Sequence, residues 1–345
     1  MKIAYLGNHV PQHSTESHIS ATLESMGHQV DRLQENDVDI DMIVHTANQA
    51  NLFLWTRTRG WLRCNGKEML RRIRVTTASY HLDLYCKISR QLEIPNDPWW
   101  RTDVVFTPDG GSDAFWKEHR INHVYQKAGV FKPECYIPKV PLITDVVFVG
   151  SYGYHEEWPY RPRLVDYLRE TYGDRFKKYG NPETTVRGDK LNHVYAGAKV
   201  VVGDTLCPGF DHPNYWSDRV YETLGRGGFL IHPWIKGMQE EFIDGVHLCY
   251  YEYGDFKELK RLIDYYVTHD KEREDIRLTG HYHVKENCTY DDRLQTALHK
   301  ISQVSRGSGL VNYPPQPGPN INMEPQLAPE LTDDDMPAIL RKWAR

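Results

Sequence analysis

Apolar positions along the chain alternate between short runs of strand type and longer stretches with helical spacing. The run KIAYLGN near the N-terminus predicts a strand, and Ile19, Leu23 and Met26 behind it share one face of a predicted helix. A second cycle opens with the strand-type run DVVFVG, residues 145–150, followed by the helical stretch PRLVDYLRETYG. Strands that alternate with helices favour mostly parallel sheets with helices on both faces.

The same patterns divide the chain into two α/β halves and a tail. Further strands are predicted at residues 39–46, 72–80, 102–107, 175–180, 200–205 and 229–233. A break at IPKVPLIT suggests an N-terminal Rossmann-like domain over residues 1–140 and a C-terminal one over 141–305. Residues 306–345 are proline-rich and predict an extended tail, with a possible short helix at DDDMPAILRKWAR that docks on its own protein or on a partner.

Composition sets the broad class. The chain has 345 residues, 40% of them hydrophobic and 26% charged, with a net charge of −5, which is ordinary for a globular protein. Apolar runs fall short of the ~20 residues that span a bilayer, and the N-terminus turns polar too soon for a signal peptide. The six cysteines are scattered without a close CxxC pair, which favours reduced thiols and predicts a cytoplasmic protein.

Three loops in the second half carry residue types that suit a nucleotide. The loop FVGSYG contains Gly150, Ser151, Tyr152 and Gly153, and its glycines would let backbone N–H groups approach a phosphate. The next loop, NPETTVRGDK, carries two cations that either neutralise a diphosphate or are solvated surface charges. These cations are Arg187 and Lys190.

The third loop is SDRVYETLGRGGFLIHPW, residues 217–234. Ser217 is a plausible cap for a helix that ends at a glycine pair before the next strand. Glu222 would lie near the middle of this helix, where its carboxylate could accept hydrogen bonds from a ribose diol. The alternative is an ion pair with Arg219 or Arg226 at helical spacing.

This third loop and the residues after it resemble the donor-binding segment of GT-B glycosyltransferases, especially the group-1-like, CgeB-like branch. The matching pieces are DVVFVGSYG, RGDKLNHVYAGAKVVVGD, RVYETLGRGGFL, EEFIDGVHLCYY and HVKENCTYDDRL, over about 150 residues. The resemblance implies a GT-B fold of two Rossmann-like domains across a cleft, and a carboxylate of Glu222 that holds the ribose of a nucleotide-sugar donor. It also implies that the FVGSYG loop and nearby basic groups face the diphosphate, and the expected donor set adds Ser217, Asp218 and Arg219.

This sequence departs from the family pattern at one position, and the resemblance also implies which cofactors to expect. Asn214 stands near the place where the family pattern often has another glutamate, so neither the sugar nor the stereochemical outcome is predicted. GT-B folds generally neutralise the leaving diphosphate without a bound metal, so we expect a UDP-sugar donor, no further cofactor and metal independence. A metal set from His9, His13 and His18 is the alternative, but the spacing of these histidines is loose.

The first half is expected to bind the acceptor and supply the catalytic groups. His81 and Asp83 follow a predicted strand, and Asp109 precedes two glycines at the end of another. Each is a candidate for taking the acceptor proton, although Asp109 also suits a turn and His81 also suits a hydrogen-bonded strand end. The loop with His13 is expected to border the cleft.

One stretch bears on the acceptor. The segment from Trp55 to Arg74 interleaves tryptophans with arginines, including Arg57, Arg59, Trp61 and Arg63. Aromatic side chains between arginines suit stacking on bases and contact with phosphates, as a DNA acceptor would need. The alternative is a solvated helix face whose tryptophans lie in the core.

The sequence therefore predicts a glycosyltransferase that moves a sugar from a nucleotide-diphosphate donor to an unidentified acceptor hydroxyl. A phage-type DNA glycosyltransferase acting on a hydroxylated base is one alternative, and glycan, lipid or protein acceptors remain open. A non-catalytic nucleotide-sugar-binding protein and a sugar-nucleotide epimerase are the competing classes.

Overall fold

The computed structural model describes residues 1–58, 65–153, 159–205, 213–304 and 306, and it contains two parallel β-sheets. The first sheet has six strands in the order β2-β1-β3-β4-β5-β6. Its strands are β1 (Lys2–Gly7), β2 (Gln29–Gln34), β3 (Leu52–Trp55), β4 (Thr76–Tyr80), β5 (Val104–Thr107) and β6 (His123–Tyr125).

The second sheet has five strands in the order β11-β10-β9-β7-β8, and every pairing in both sheets is parallel. Its strands are β7 (Thr144–Val149), β8 (Phe176–Tyr179), β9 (Ala198–Val202), β10 (Leu230–Pro233) and β11 (Cys249–Tyr251). The sheet orders and the helices between the strands confirm the predicted fold class of two Rossmann-like α/β units.

Ten α-helices connect and cover the strands among the described residues. They are α1 (Thr15–Ser25), α2 (Ile40–Asn48), α3 (Gly66–Arg72), α4 (Asp113–Glu118), α5 (Tyr160–Tyr172), α6 (Asp189–Ala196), α7 (Arg219–Gly225), α8 (Phe256–Thr268), α9 (Asp270–Asn287) and α10 (Tyr290–Ile301). The proline-rich tail predicted for 306–345 lies outside the described residues except for Arg306.

The strand predicted at residues 39–46 is wrong, because this stretch forms α2. The Asp39 carboxylate accepts a hydrogen bond from the Met42 backbone N–H at 2.8 Å and so caps the start of a helix. Ile43, Val44 and Ala47 are buried, and their spacing of one, three and four residues places them on one helical face. The apolar run was too short for its period to separate a strand from a helix.

Three strands of the first sheet, β2, β3 and the short edge strand β6, were not predicted. β2 lies at the sheet edge and has the polar sequence QVDRLQ, of which only Leu33 is buried. β3 lies in the centre of the sheet, and all four of its residues are buried. Its sequence therefore lacks the alternation of apolar and polar residues that predicts a strand with one exposed face.

The last helix crosses back from the second half of the chain to the first sheet. Tyr290, Leu294 and Ala297 of α10 belong to the same buried cluster as Ile3 and Tyr5 of β1. This cluster joins the end of the described chain to its beginning. The division at residues 140/141 stays a prediction, and α10 packs outside the unit to which its sequence position assigns it.

The two units also meet through side chains from the first sheet and loops of the second unit. The Tyr125 hydroxyl donates to the Asn214 carbonyl at 2.7 Å, and Gly110 lies close to the Asn214 side chain.

Every helix of the described residues is too short or too polar to cross a bilayer.

Candidate active site

A cleft of about 500 Å³ lies where the carboxyl ends of both sheets face each other. The loops after β1 and β4 line one side, and those after β7 and β8, together with α7, line the other. This volume is in the range typical of small-molecule sites, and strand carboxyl ends are where open parallel sheets bind ligands. The lining residues are His13, Ser14, Thr15, His18, Leu82, Asp83, Val149, Gly150, Ser151, Arg161, Gly180, Asn181, Thr185, Val186, Arg187, Tyr215, Ser217, Asp218, Arg219, Glu222 and Tyr290.

Glu222 projects into this cleft from α7. Its side chain is 28% exposed, and its Oε1 atom lies 3.8 Å from an Arg226 guanidinium nitrogen, beyond hydrogen-bond distance. Burial and the neighbouring Asp218 carboxylate raise the pKa of Glu222 to about 6, against the opposing effects of Arg226 and Arg187. Near neutral pH the group is therefore an ionised carboxylate with oxygens available to hydroxyl donors.

Positive charge in the cleft comes from arginines of the second unit. Arg219 lies one turn before Glu222, and its Nη1 atom donates to the Val149 carbonyl at 3.4 Å. Arg187 is exposed on the loop after β8. Both guanidinium groups lie on the same side of the cleft as the Ser151 loop, so an anion there would meet two cations.

Two glycines allow the close approach of the strand ends at this position. A Cβ atom on Gly150 would overlap the Arg219 guanidinium, and one on Gly180 would overlap the Gly150 carbonyl. Gly180 also has a φ of 103°, which favours glycine. The glycines therefore let Arg219 lie directly against the end of β7.

The side of the cleft that belongs to the first sheet combines a helix start with two histidines. Ser14 caps α1, and its hydroxyl accepts from the Ser17 N–H at 3.1 Å. His18 stacks on Phe131, with ring centroids 4.4 Å apart, and burial lowers the pKa of His18 to about 4 although the Glu134 carboxylate opposes this shift. His18 is therefore neutral at physiological pH.

His13, His18 and Glu134 form the group of described residues that could hold a metal ion. Their potential ligand atoms lie within 4.8 Å of one another. The Glu134 carboxylate, however, already bonds to the Arg226 guanidinium and to His13 Nδ1, the latter at 3.0 Å. Because a guanidinium repels a divalent cation, this set fits a hydrogen-bonded ion pair better than a metal site.

Comparisons with known proteins agree with this geometry. Residues 161–299 match the family model described as "Glycosyl transferase-like". HepE of Anabaena, solved with UDP and glucose, has a TM-score of 0.63 and 13% identity, with 88% of this chain and 100% of HepE covered. An alpha-glucosyltransferase solved with UDP-glucose and DNA gives 0.69 and 10%, covering 88% and 99%.

A third solved structure, sucrose-phosphate synthase from Thermosynechococcus elongatus, gives a TM-score of 0.59 at 12% identity, covering 88% of this chain and 99% of that one. At such identities the three likenesses establish the fold, and the family match supplies the reaction class. The chain is a glycosyltransferase of the GT-B fold. A comparison with curated protein sequences gave no match.

Most of the donor residues expected for this glycosyltransferase line the cleft, and three do not. Tyr152 donates its hydroxyl to Asp166 at 2.6 Å, and neither it nor Gly153 or Lys190 belongs to the lining. Those that line the cleft are Gly150, Ser151, Arg187, Ser217, Asp218, Arg219 and Glu222. Asn214 also lies outside the lining, with its backbone bonded to Lys236 and Tyr125.

Of the three catalytic candidates, Asp83 lines the cleft, and its carboxylate forms an ion pair with Arg90 at 2.6 Å. His81 lies beside the cleft, and its Nδ1 atom accepts from the Asp83 backbone N–H at 3.1 Å. Asp109 is 2% exposed. Its carboxylate accepts from two backbone N–H groups at 2.7 Å, which is the turn role that the sequence also allowed.

The acceptor-side candidates divide in the same way. His13 lines the cleft. Arg57 is 4% exposed and forms an ion pair with Asp97, so its guanidinium is not on the surface as a basic patch would need. Arg59, Trp61 and Arg63 lie outside the described residues.

Several cleft residues were not identified from the sequence. Arg161 comes from the start of α5, where its Nη1 atom donates to the Ser151 hydroxyl at 3.2 Å. Tyr290 comes from α10 and reaches the cleft because that helix packs on the first sheet. The sequence did contain a signal for Tyr290, since this residue lies in the TYDDRL piece that resembles the family.

Proposed function

We propose that this glycosyltransferase uses a UDP-sugar, whose ribose hydroxyls bind Glu222 and whose diphosphate lies against Ser151, Arg187 and Arg219. The observation that carries the proposal is that this carboxylate and these guanidinium groups share one cleft. A carboxylate accepts hydrogen bonds from a vicinal diol, and guanidinium groups bind phosphate oxygens in pairs. The UDP of HepE and the UDP-glucose of the alpha-glucosyltransferase support this choice of donor.

In this proposal the chemistry is divided between the two sides of the cleft. The acceptor oxygen bonds to the anomeric carbon as the bond from that carbon to the diphosphate breaks. Arg187 and Arg219 stabilise the negative charge that develops on the leaving diphosphate, the role that a divalent ion has in metal-dependent transferases. We assign Asp83, which lines the cleft, to the acceptor side as the group that takes the proton of the acceptor hydroxyl.

We expect UDP-sugars to raise the melting temperature of the protein at pH 8 more than at pH 5. The reason is that ribose binding requires ionised Glu222, whose pKa is about 6, so affinity falls as pH decreases through this value. The measurement is a thermal-shift titration of UDP-glucose, UDP-galactose and UDP-N-acetylglucosamine, with and without EDTA. Stabilisation by none of these donors at millimolar concentration would contradict the proposal, and loss of binding on EDTA treatment would contradict metal independence.

DNA is a candidate for the acceptor. The alpha-glucosyltransferase neighbour was solved with DNA, and exposed arginines, Arg71 and Arg74, lie at the end of α3 and just beyond it. If these side chains contact phosphates, duplex DNA binding is expected in 20 mM salt and should weaken steeply by 200 mM. Fluorescence anisotropy of a labelled duplex measures this, with R71Q/R74Q as the variant. No binding at low salt would exclude DNA as the acceptor.

A further inference from the structure

Arg226 is a buried cation at the C-terminal end of α7, one helical turn after Glu222. It is 2% exposed. Its guanidinium donates to the Asn192 side-chain oxygen at 2.6 Å and to the Gly188 carbonyl at 3.4 Å, and it forms an ion pair with Glu134. Asn192 belongs to α6, Gly188 directly precedes α6, and Glu134 lies in the segment that joins the two sheets. The guanidinium is therefore held by partners from three places in the chain.

Glu134 is itself held in place. Its Oε1 atom lies 3.0 Å from His13 Nδ1, and its Oε2 atom lies 3.7 Å from His18 Nε2. Its backbone carbonyl accepts from the Asn192 side chain at 2.9 Å. The Glu134–Arg226 ion pair is therefore part of a rigid network and cannot turn freely towards the cleft.

This network leaves Arg226 at an intermediate distance from Glu222. At 3.8 Å the guanidinium is too far for a hydrogen bond but close enough for a strong electrostatic effect in a half-buried site. Glu222 thus has a nearby positive charge that favours its ionised form, while its oxygens are not occupied by a hydrogen bond from Arg226.

We propose that Arg226, fixed by Glu134, is a positioning residue that keeps Glu222 ionised and free to bind the donor ribose. The inference rests on the proposed function of Glu222. Without Glu134, the guanidinium could approach Glu222 and compete with the ribose for its oxygens. Without Arg226, the carboxylate would keep its proton to higher pH.

Other charged and titratable groups also face Glu222. Asp218, the N-cap residue of α7, and the more distant Glu134 disfavour the ionised form, whereas Arg187 from the loop after β8 favours it. Tyr195 of α6 and Tyr290 of α10 lie close enough to interact with it, but burial raises the pKa of both phenols, so they stay neutral. Arg226 is the buried cation among the described groups that act on Glu222.

The test is the pH dependence of UDP-glucose affinity between pH 5 and 8, measured by calorimetry for the wild type, R226K, E134Q/R226Q and E134Q. UDP-glucose is the probe because its diphosphate, unlike the terminal phosphate of UDP, carries no group that titrates in this range. The wild type should lose affinity below about pH 6. We call this loss of affinity on acidification the acid limb. In E134Q/R226Q, which removes both charges of the pair, we expect the midpoint of the acid limb to rise by about one pH unit. At pH values below the midpoint this corresponds to a roughly tenfold lower affinity than that of the wild type. R226K should keep the midpoint near that of the wild type because it retains the charge.

E134Q is expected to move the acid limb in the opposite direction, to lower pH, because it removes a carboxylate that disfavours ionised Glu222. Binding at pH 8 should also be weaker, because Arg226 then approaches Glu222 and competes with the ribose. Non-specific structural damage would not produce shifts of opposite sign, and the exposed Arg261 provides a matched control, R261Q. Acid limbs that coincide with that of the wild type in both E134Q and E134Q/R226Q would overturn the inference.

The same titrations distinguish this failure from failure of the proposed function. E222Q should bind UDP-glucose weakly and show no acid limb. If E222Q binds like the wild type, the ribose role of Glu222 is wrong. If E222Q behaves as expected and the limbs of the Arg226 and Glu134 variants do not move, only the positioning role is wrong.

Discussion

Replacing Glu222 by glutamine is expected to weaken UDP-glucose binding by about 30- to 100-fold at pH 8. A carboxylate that accepts hydrogen bonds from two hydroxyl groups contributes about 1.5–3 kcal/mol for each bond, and glutamine keeps one of the two acceptor oxygens. A loss of about 2–3 kcal/mol corresponds to that change in Kd. Isothermal titration of UDP-glucose into the wild type and E222Q gives the value directly.

The control for this change is Glu118→Gln, which alters an exposed glutamate outside the cleft lining. E118Q should bind UDP-glucose as the wild type does. Transfer activity should fall in E222Q and not in E118Q. Equal affinity of E222Q and the wild type would mean that the ribose lies elsewhere.

The second large effect is expected on stability, at the buried ion pair beneath the cleft. Asp204 follows β9, and its Oδ2 atom accepts from Arg161 Nε at 2.5 Å, with both side chains less than 5% exposed. Burial favours protonation, but Arg161 and Arg219 outweigh it and lower the pKa of Asp204. D204N leaves the buried Arg161 charge without its counter-ion, so we expect the free energy of unfolding to fall by about 3–5 kcal/mol.

Urea unfolding measures this change. The matched control is E24Q, which breaks the surface pair of Glu24 and Arg32, whose side chains are 44% and 42% exposed. An exposed pair contributes about 0–1 kcal/mol, so E24Q should change stability little. The double variant R161M/D204L, with no buried charge, should recover much of the loss of D204N. Equal effects of D204N and E24Q would contradict the role given to the buried pair.

The sequence predicted those parts of the fold whose local pattern agrees with their tertiary surroundings. β1 and β7 are apolar runs that end at glycine, and α5 has a clear helical face that ends at Gly173, so both local and global preferences agree. A strand was predicted in place of α2, and no strand was predicted at β2, for different reasons. The cap at Asp39 outweighed a strand-like apolar run, and the edge strand β2 buries too little to show an apolar pattern.

The candidate site shows the same limit. Glu222 and Gly150 lie in short motifs whose chemistry is local, so the sequence identified them. Arg161 and Glu134 act through contacts with residues more than 40 positions away, Asp204 in one case and Arg226 in the other. No spacing rule connects such pairs, because tertiary packing alone brings them together. The expectation that Arg57 lies in a basic surface patch is wrong for the same reason, because the ion pair with Asp97 holds its side chain in the interior.

The claim that Glu222 binds the donor ribose is tested most directly by titrating UDP and 2′-deoxy-UDP into the wild type and E222Q. The wild type should prefer UDP by about tenfold, the value of one hydrogen bond to a charged group, and E222Q, whose neutral amide keeps one acceptor oxygen, should show a clearly smaller preference. An equal preference for UDP in both proteins would show that another group reads the 2′-hydroxyl, and would contradict the assignment of Glu222.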